Sequence, residues 1–310
     1  MKKKIRVVET CPRDGWEHQP FVIPTEVKLK YIQKMVACGA RTLDLVNFAD
    51  PEKVPQMKDA EEVFQKTVSY VREHHLDVDC MALAFEPKGL QRALNVGATS
   101  LQYAFSASDK TNDMLGTTLE ASLENMREIM AQGQGLRVKV GLLCAFGSPF
   151  GDTVSLDRLK RICEAAFSSG VAMVSLADTA GIASPVHVRE ILEGLKTTVD
   201  LDRISLHVHN AFGMGLTNVF AAVEAGVTSV EGALGGMGGG PFPFIPGNHN
   251  LATEDIVNLL EASGYDTGYQ LQPLIEAGQE LCRETGAVSA SHLLDKGDCL
   301  LCAQAAGKGE

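Results

Sequence analysis

The chain has 310 residues, 45% of them hydrophobic, and a formal net charge of −11. A length of this order suits one large core, and a barrel of this size folds as one domain. The acidic balance without a long basic block argues against a nucleic-acid partner, and no apolar run reaches the roughly 18 residues that span a bilayer. Met1–Lys4 is basic, but Ile5–Glu9 is a strand-length run and not a signal-peptide core. Eight dispersed cysteines read as reduced thiols, which points to a cytoplasmic protein.

Eight β-branched, apolar runs follow one another: Ile5–Thr10, Thr42–Phe48, Val78–Ala84, Ser100–Ser106, Arg137–Phe146, Met173–Thr179, Ile204–Asn210 and Ser229–Gly235. Their spacing leaves room for a crossover helix and two loops each time. Thr25–Cys38 carries Val27, Tyr31, Met35 and Val36 on one face, with Thr25 as its expected cap and Gly39 after it. Leu156–Phe167, Pro185–Leu195 and Leu216–Ala225 behave alike. After the eighth run, Gly235–Pro241 is a glycine-rich loop, and Ala252–Leu260 reads as the eighth helix with Thr253 as cap. Eight strands each feeding a helix predict a (β/α)₈ TIM barrel of the α/β class over residues 1–265. Helical segments at Tyr269–Thr285 and Ser289–Leu294 predict a C-terminal extension over 266–310 packed on the barrel. The Cys299–Cys302 pair near the end has no second pair, so a structural zinc site is not expected there; a redox switch is one reading and an ordinary apolar segment the other.

Polar groups concentrate at the strand ends where barrels of this kind place their active sites. The first strand delivers Arg13-Asp14, the second Asp44 and Asn47, the fourth Ser106 and then Ser108, Asp109, Thr111 and Asn112. The fifth delivers Cys144, the sixth Asp178 and Thr179, the seventh His207, His209 and Asn210. In a strand His207 and His209 share a face and can grip one cation; two buried, hydrogen-bonded histidines are the plain alternative. Asp14 is the best anionic partner across the barrel, and Asn250 or Asn248 could complete the shell. Such a set suits Mg²⁺, Mn²⁺, Zn²⁺ or Fe²⁺. Arg13 is a fixed cation for an enolate or carboxylate, or else the partner of Asp44 or Asp178. Asp178 is a candidate base, or a carboxylate capping loop amides. With no evident nucleophile, and Lys139 early in its strand, these residues suggest metal-assisted aldol-type cleavage rather than Schiff-base chemistry.

The segment Glu9–Glu17 (ETCPRDGWE) resembles the first-strand motif of the DRE-TIM metallolyases. Val54–Asp59, Ser175–Gly181, His207–His209 and Asn250–Asp255 resemble the 3-hydroxy-3-methylglutaryl-CoA lyase branch, and together the motifs cover nearly the whole chain. The resemblance implies a (β/α)₈ barrel and Mg²⁺ or Mn²⁺ held by Asp14, His207, His209 and Asn250. It implies enolate stabilisation by Arg13, proton transfer involving Asp178, and a CoA thioester as the small-molecule substrate. It also suggests a homo-oligomer. Two departures stand out. Gly240 occupies a loop position where these lyases carry a cysteine that takes part in catalysis. Asp44 occupies the position of a glutamate, one methylene longer. The loop from Gly240 to Leu251 is also a residue longer, which leaves Asn248 as a rival to Asn250. Cys144 and His249 are candidate replacements for the missing acid–base group. The competing readings are a condensing enzyme of the isopropylmalate or citramalate synthase type, a lyase for a different hydroxy acid, and an inactive metal-binding barrel kept for a partner. A biotin-dependent carboxyltransferase fits poorly, for want of a lysine at the barrel mouth.

Overall fold

Strands buried on both faces need apolar side chains at successive positions, and a parallel sheet wrapped by helices meets that demand. A computed structural model of the chain, describing residues 2–297, shows this arrangement. The strands are β1 (Arg6–Glu9), β2 (Thr42–Asn47), β3 (Asp79–Ala84), β4 (Ser100–Ser106), β5 (Arg137–Leu143), β6 (Met173–Asp178), β7 (Ile204–Val208) and β8 (Ser229–Gly232). They are parallel and close in sequence order, β8 returning to β1 with Arg6 opposite Ser229 and Glu9 opposite Gly232. Closure settles the choice between a barrel and an open doubly wound sheet. No described helix is long and apolar enough to cross a membrane.

The helices outside the barrel are α1 (Thr25–Ala37), α2 (Ala60–Glu73), α3 (Pro87–Asn95), α4 (Asp109–Met114), α5 (Leu119–Gln132), α6 (Leu156–Ser168), α7 (Pro185–Leu195), α8 (Gly215–Ala225) and α9 (Thr253–Ala262). α1 buries one stripe, including Tyr31, Ile32, Met35 and Val36, whereas α8 and α9 are buried over runs of successive residues. α7 starts as its sequence predicts, Ser184 accepting the His187 amide with Pro185 in the first turn. Two expected caps are corrected. Thr25 and Thr253 lie inside their helices, after Pro24 and Ala252, and neither makes a side-chain cap. Thr25 instead donates to Asp59 Oδ2 at 2.7 Å, tying α1 to the start of α2. Three strands end two or three residues earlier than the apolar runs suggest, at Leu143, Val208 and Gly232. The residues beyond them leave the ladder to build the mouth. α4 lies in a stretch read as loop: its six residues are too few to display a helical period.

Past the barrel, α10 (Leu271–Thr285) packs on α1 and α9, and α11 (Leu293–Lys296) packs on α10. Lys30 reaches Glu284 at 2.6 Å, and Lys34 pairs with Glu280. Cys299 and Cys302 lie outside the described residues.

Candidate active site

The chain leaves β1 in one wide π-helical turn, Cys11–Gly15, a form common at functional sites. The Thr10 carbonyl accepts the amides of Arg13, Asp14 and Gly15 at 3.2, 2.9 and 3.3 Å. This turns Arg13 and Asp14 into the barrel mouth, both buried. Arg13 donates through Nε and Nη2 to Asp44 Oδ2 at 2.9 and 2.6 Å. Its Nη1 lies 3.3 Å from Asp14 Oδ1 and 3.4 Å from Glu17 Oε1. The guanidinium therefore sits among three carboxylates. Its pairing with Asp44 is one of the two partners open from the sequence.

Alternation along β7 and just beyond it brings His207 and His209 to one face, with Nε2 to Nε2 at 3.1 Å. Asp14 Oδ2 stands 3.7 Å from His207 Nε2, and one ligand atom from each of Asp14, His207 and His209 falls within 4.8 Å of the others. Asn250 bridges His209 on an adjacent segment and donates through Nδ2 to Asp14 Oδ2 at 2.7 Å and the Met237 carbonyl at 2.8 Å. Asn250 Oδ1 is left buried with no partner. Two imidazole nitrogens facing each other, a carboxylate and an orphaned amide oxygen match the donor set of a divalent cation, so these residues fit a metal. Asn248 is placed differently: its Nδ2 donates to the carbonyls of Thr179 and Gly239 at 3.1 and 3.0 Å and so braces the loop.

Charge is arranged to suit that set. Burial pushes the Asp14 carboxyl up, but Arg13, His18 and His207 outweigh it and hold it well below the usual carboxylate range. Burial, with His207 beside it, pushes His209 down to about 3, so its ring is neutral and keeps a lone pair for a cation. Behind His207, Glu231 Oε2 lies 3.4 Å from Nδ1. The β7–β8 register sets Glu231 directly beside His207. Lys139 Nζ and Ser175 Oγ donate to Glu231 Oε1 at 2.9 and 2.5 Å. Burial opposes ionisation of Glu231, yet Lys139 and His207 hold its carboxyl well below normal. The ionised carboxylate is placed to accept from Nδ1–H of His207, which leaves the Nε2 lone pair toward the cluster. Residue-by-residue reading passes over Glu231 and Lys139 as site residues, because only the register joins strands β5 and β8 to the site; a Glu inside an apolar strand was the available signal.

Asp178, at the end of β6, is fully buried and accepts the amides of Ile182 and Ala183 at 3.0 Å each. Burial pushes its carboxyl up to about 6, against the downward pull of those amides. Cys144 is sealed from the mouth, its Sγ 3.4 Å from Thr111 Oγ1, with burial pushing the thiol up. Ser108 and Ser148 both bond Asp152, bracing the loops after β4 and β5 rather than reaching the cluster. His18 is a further site neighbour, its Nδ1 3.0 Å from the Asp14 carbonyl and 3.2 Å from Oδ1. Its signal was a histidine four residues after Asp14, one helical turn away.

The HMGL-like family matches residues 4–281. The hydroxymethylglutaryl-CoA lyase YngG of Bacillus subtilis (strain 168) is 31% identical over 293 residues, 92% of this chain and 94% of that protein. The mitochondrial hydroxymethylglutaryl-CoA lyase of Homo sapiens is 29% identical over 94% of this chain and 89% of its own length. The crystal structure of the B. subtilis HMG-CoA lyase superposes with a TM-score of 0.86 at 31% identity, covering 94% of this chain and 97% of that one. An HMG-CoA lyase from Acinetobacter baumannii, solved with coenzyme A and 3-methylmalate, gives a TM-score of 0.86 at 32% identity over 95% of both chains. Fold, site and relatives together define a carbon–carbon lyase built on a (β/α)₈ barrel. The chain belongs to the HMGL-like family.

Proposed function

We propose that this protein is a divalent-metal-dependent lyase that cleaves a 3-hydroxy-3-methylglutaryl-CoA-like tertiary hydroxyacyl thioester to an acyl-CoA enolate and a keto acid. The observation that carries the reading is the convergence of Asp14, His207 and His209 on one point beside Arg13. Asp14, His207, His209 and Asn250 would hold the ion; the family resemblance favours Mg²⁺ or Mn²⁺, and the donor set also suits Zn²⁺. The bound ion would lower the pKa of the substrate hydroxyl and polarise its carbonyl.

The chain's own residues do the rest. Asp178, with its carboxyl raised to about 6, takes part in moving the hydroxyl proton as the C–C bond breaks. Arg13 faces the developing enolate oxygen as a preorganised cation. Asp44 holds the guanidinium by a two-donor pair. The bound coenzyme A of the A. baumannii relative supports a CoA thioester as substrate here. So does an apolar fringe on the loops after the strands, where Ile182, Phe212 and Phe244 stay 44, 62 and 56% exposed and offer surface for a pantetheine arm. Barrel residues 1–265 with a helical extension over 266–310, a cytoplasmic location and a homo-oligomer belong to the same reading.

The test is turnover. Metal-stripped protein with 3-hydroxy-3-methylglutaryl-CoA, with and without Mg²⁺ or Mn²⁺, should release acetyl-CoA only when metal is added. Protein that binds metal without turnover would move the assignment to another hydroxy acid or to condensation.

A further inference from the structure

Gly240 needs no special backbone. Its neighbours Gly238 and Gly239 have φ of +88° and +114°, which favour glycine, whereas Gly240 adopts a conformation open to any residue. What excludes a side chain there is space. A Cβ on Gly240 would fall 1.9 Å from His18 Nε2, 2.4 Å from Cδ2 and 2.7 Å from Cε1. The imidazole of His18 occupies the volume in which a side chain at position 240 would begin. The two positions are mutually exclusive: the loop after β8 contributes no side chain because the turn after β1 has supplied one.

The ring is held by one edge and free at the other. Nδ1 faces the Asp14 carbonyl and Oδ1, at 3.0 and 3.2 Å. The carboxylate of Asp14 thus has two sides: Oδ2 faces His207 and Asn250, while Oδ1 faces Arg13 and His18. His18 Nε2 has no hydrogen-bond partner among the described residues, and the side chain is 35% exposed at the mouth. One ring edge therefore meets the carboxylate of the Asp14–His207–His209 cluster, and the other looks toward the loop after β8.

We propose that His18 is a substrate-contacting residue of this enzyme: its Nε2 hydrogen-bonds the hydroxyacyl part of the thioester, from the place a side chain at Gly240 would otherwise take. The assignment rests on the lyase reading above. It also explains Gly240 as a vacancy kept for the imidazole.

The experiment is a double-mutant cycle read by turnover of 3-hydroxy-3-methylglutaryl-CoA, by Mn²⁺ affinity from calorimetry and by melting temperature. The clash at Gly240 is with the far end of a flexible side chain, so Gly240→Ala should still fold cooperatively while displacing the ring from its contacts with Asp14, at a small cost in melting temperature. His18→Ala should lower kcat/KM at least tenfold with Mn²⁺ affinity within threefold of wild type. Gly240→Ala should lower it comparably, and the double variant should fall no further than His18→Ala. His18→Gln, which returns a polar atom at similar reach, should recover part of the loss. His18→Ala within twofold of wild type would overturn the proposal, as would a fully active Gly240→Ala. A parallel loss of Mn²⁺ affinity would overturn it too, by showing that His18 acts only through Asp14. Wild-type protein inert on this thioester would instead remove the lyase reading, and this assignment with it.

Discussion

At the scale of single residues, the site is a balance of close charges. Arg13 sits among Asp14, Glu17 and Asp44 and is the cation that pairs with Asp44, so its removal has two effects that separate by measurement. Arg13→Gln should lower kcat by about 10²–10³-fold, as loss of one oxyanion-stabilising group typically does, with KM less affected. It should also destabilise the fold by about 3–5 kcal/mol in urea, because Asp44 is left buried without its cation. An unchanged kcat in folded protein would remove Arg13 from the chemistry. His207→Ala should abolish activity and bound metal together. Metal content equal to wild type in that variant would sink the ligand assignment.

Elements matter through register. Glu231 reaches His207 because β7 and β8 pair His207 with Glu231, and Lys139 reaches Glu231 from β5 across the barrel interior. One buried ion pair thus joins strands far apart in the chain to the back of the Asp14–His207–His209 cluster. Lys139→Met should cost about 3–5 kcal/mol, since it leaves the Glu231 charge uncompensated, and should weaken Mn²⁺ binding through the loosened His207. Lys139→Met with Glu231→Leu should recover much of the stability but not the metal affinity. Recovery of both would make the pair a packing feature alone. The glycine-rich segment after β8 works by close approach: a Cβ at Gly238 would meet the Asp14 carbonyl oxygen at 2.4 Å, so only a bare backbone fits against the metal cluster's carboxylate residue.

Over the whole molecule, two buried carboxyls under the barrel's C-terminal face couple folding to pH. Burial raises Glu254 to about 8 and Glu9 to about 7. Glu254 accepts the Gly235 amide, and Glu9 accepts the amides of Cys11 and Leu234. In the unfolded chain both titrate near 4.5. Between that value and the folded one the native state holds more protons at these two groups, so their contribution to stability falls as pH rises from about 4.5 to 8. Glu254→Gln keeps an acceptor for Gly235 and should flatten the upper part of that slope. Urea midpoints at pH 5, 6.5 and 8 check this: a variant with the wild-type slope would show that Glu254 is ionised throughout.

The eight-fold alternation, and hence the barrel, was legible in the chain by itself, because strands buried on both faces must be apolar along their length and the crossover helices must be amphipathic. So were His207 and His209, whose spacing of two fixes a shared face, and the placing of Arg13 and Asp14 at a strand end. Local pattern also misplaced details: Thr25 and Thr253 look like caps, yet proline and alanine precede their helices, and Thr25 bonds Asp59 instead. What only the tertiary structure decided lies between elements. Asn250 rather than Asn248 stands beside Asp14, because it is Asn250 that bridges His209 while Asn248 is turned to the carbonyls of Thr179 and Gly239. Glu231 stands behind His207 through strand register, and His18 stands where Gly240 has no side chain through contact between two loops some 220 residues apart. Periodicity reports which face a residue turns to; it carries no record of which distant residue meets it there.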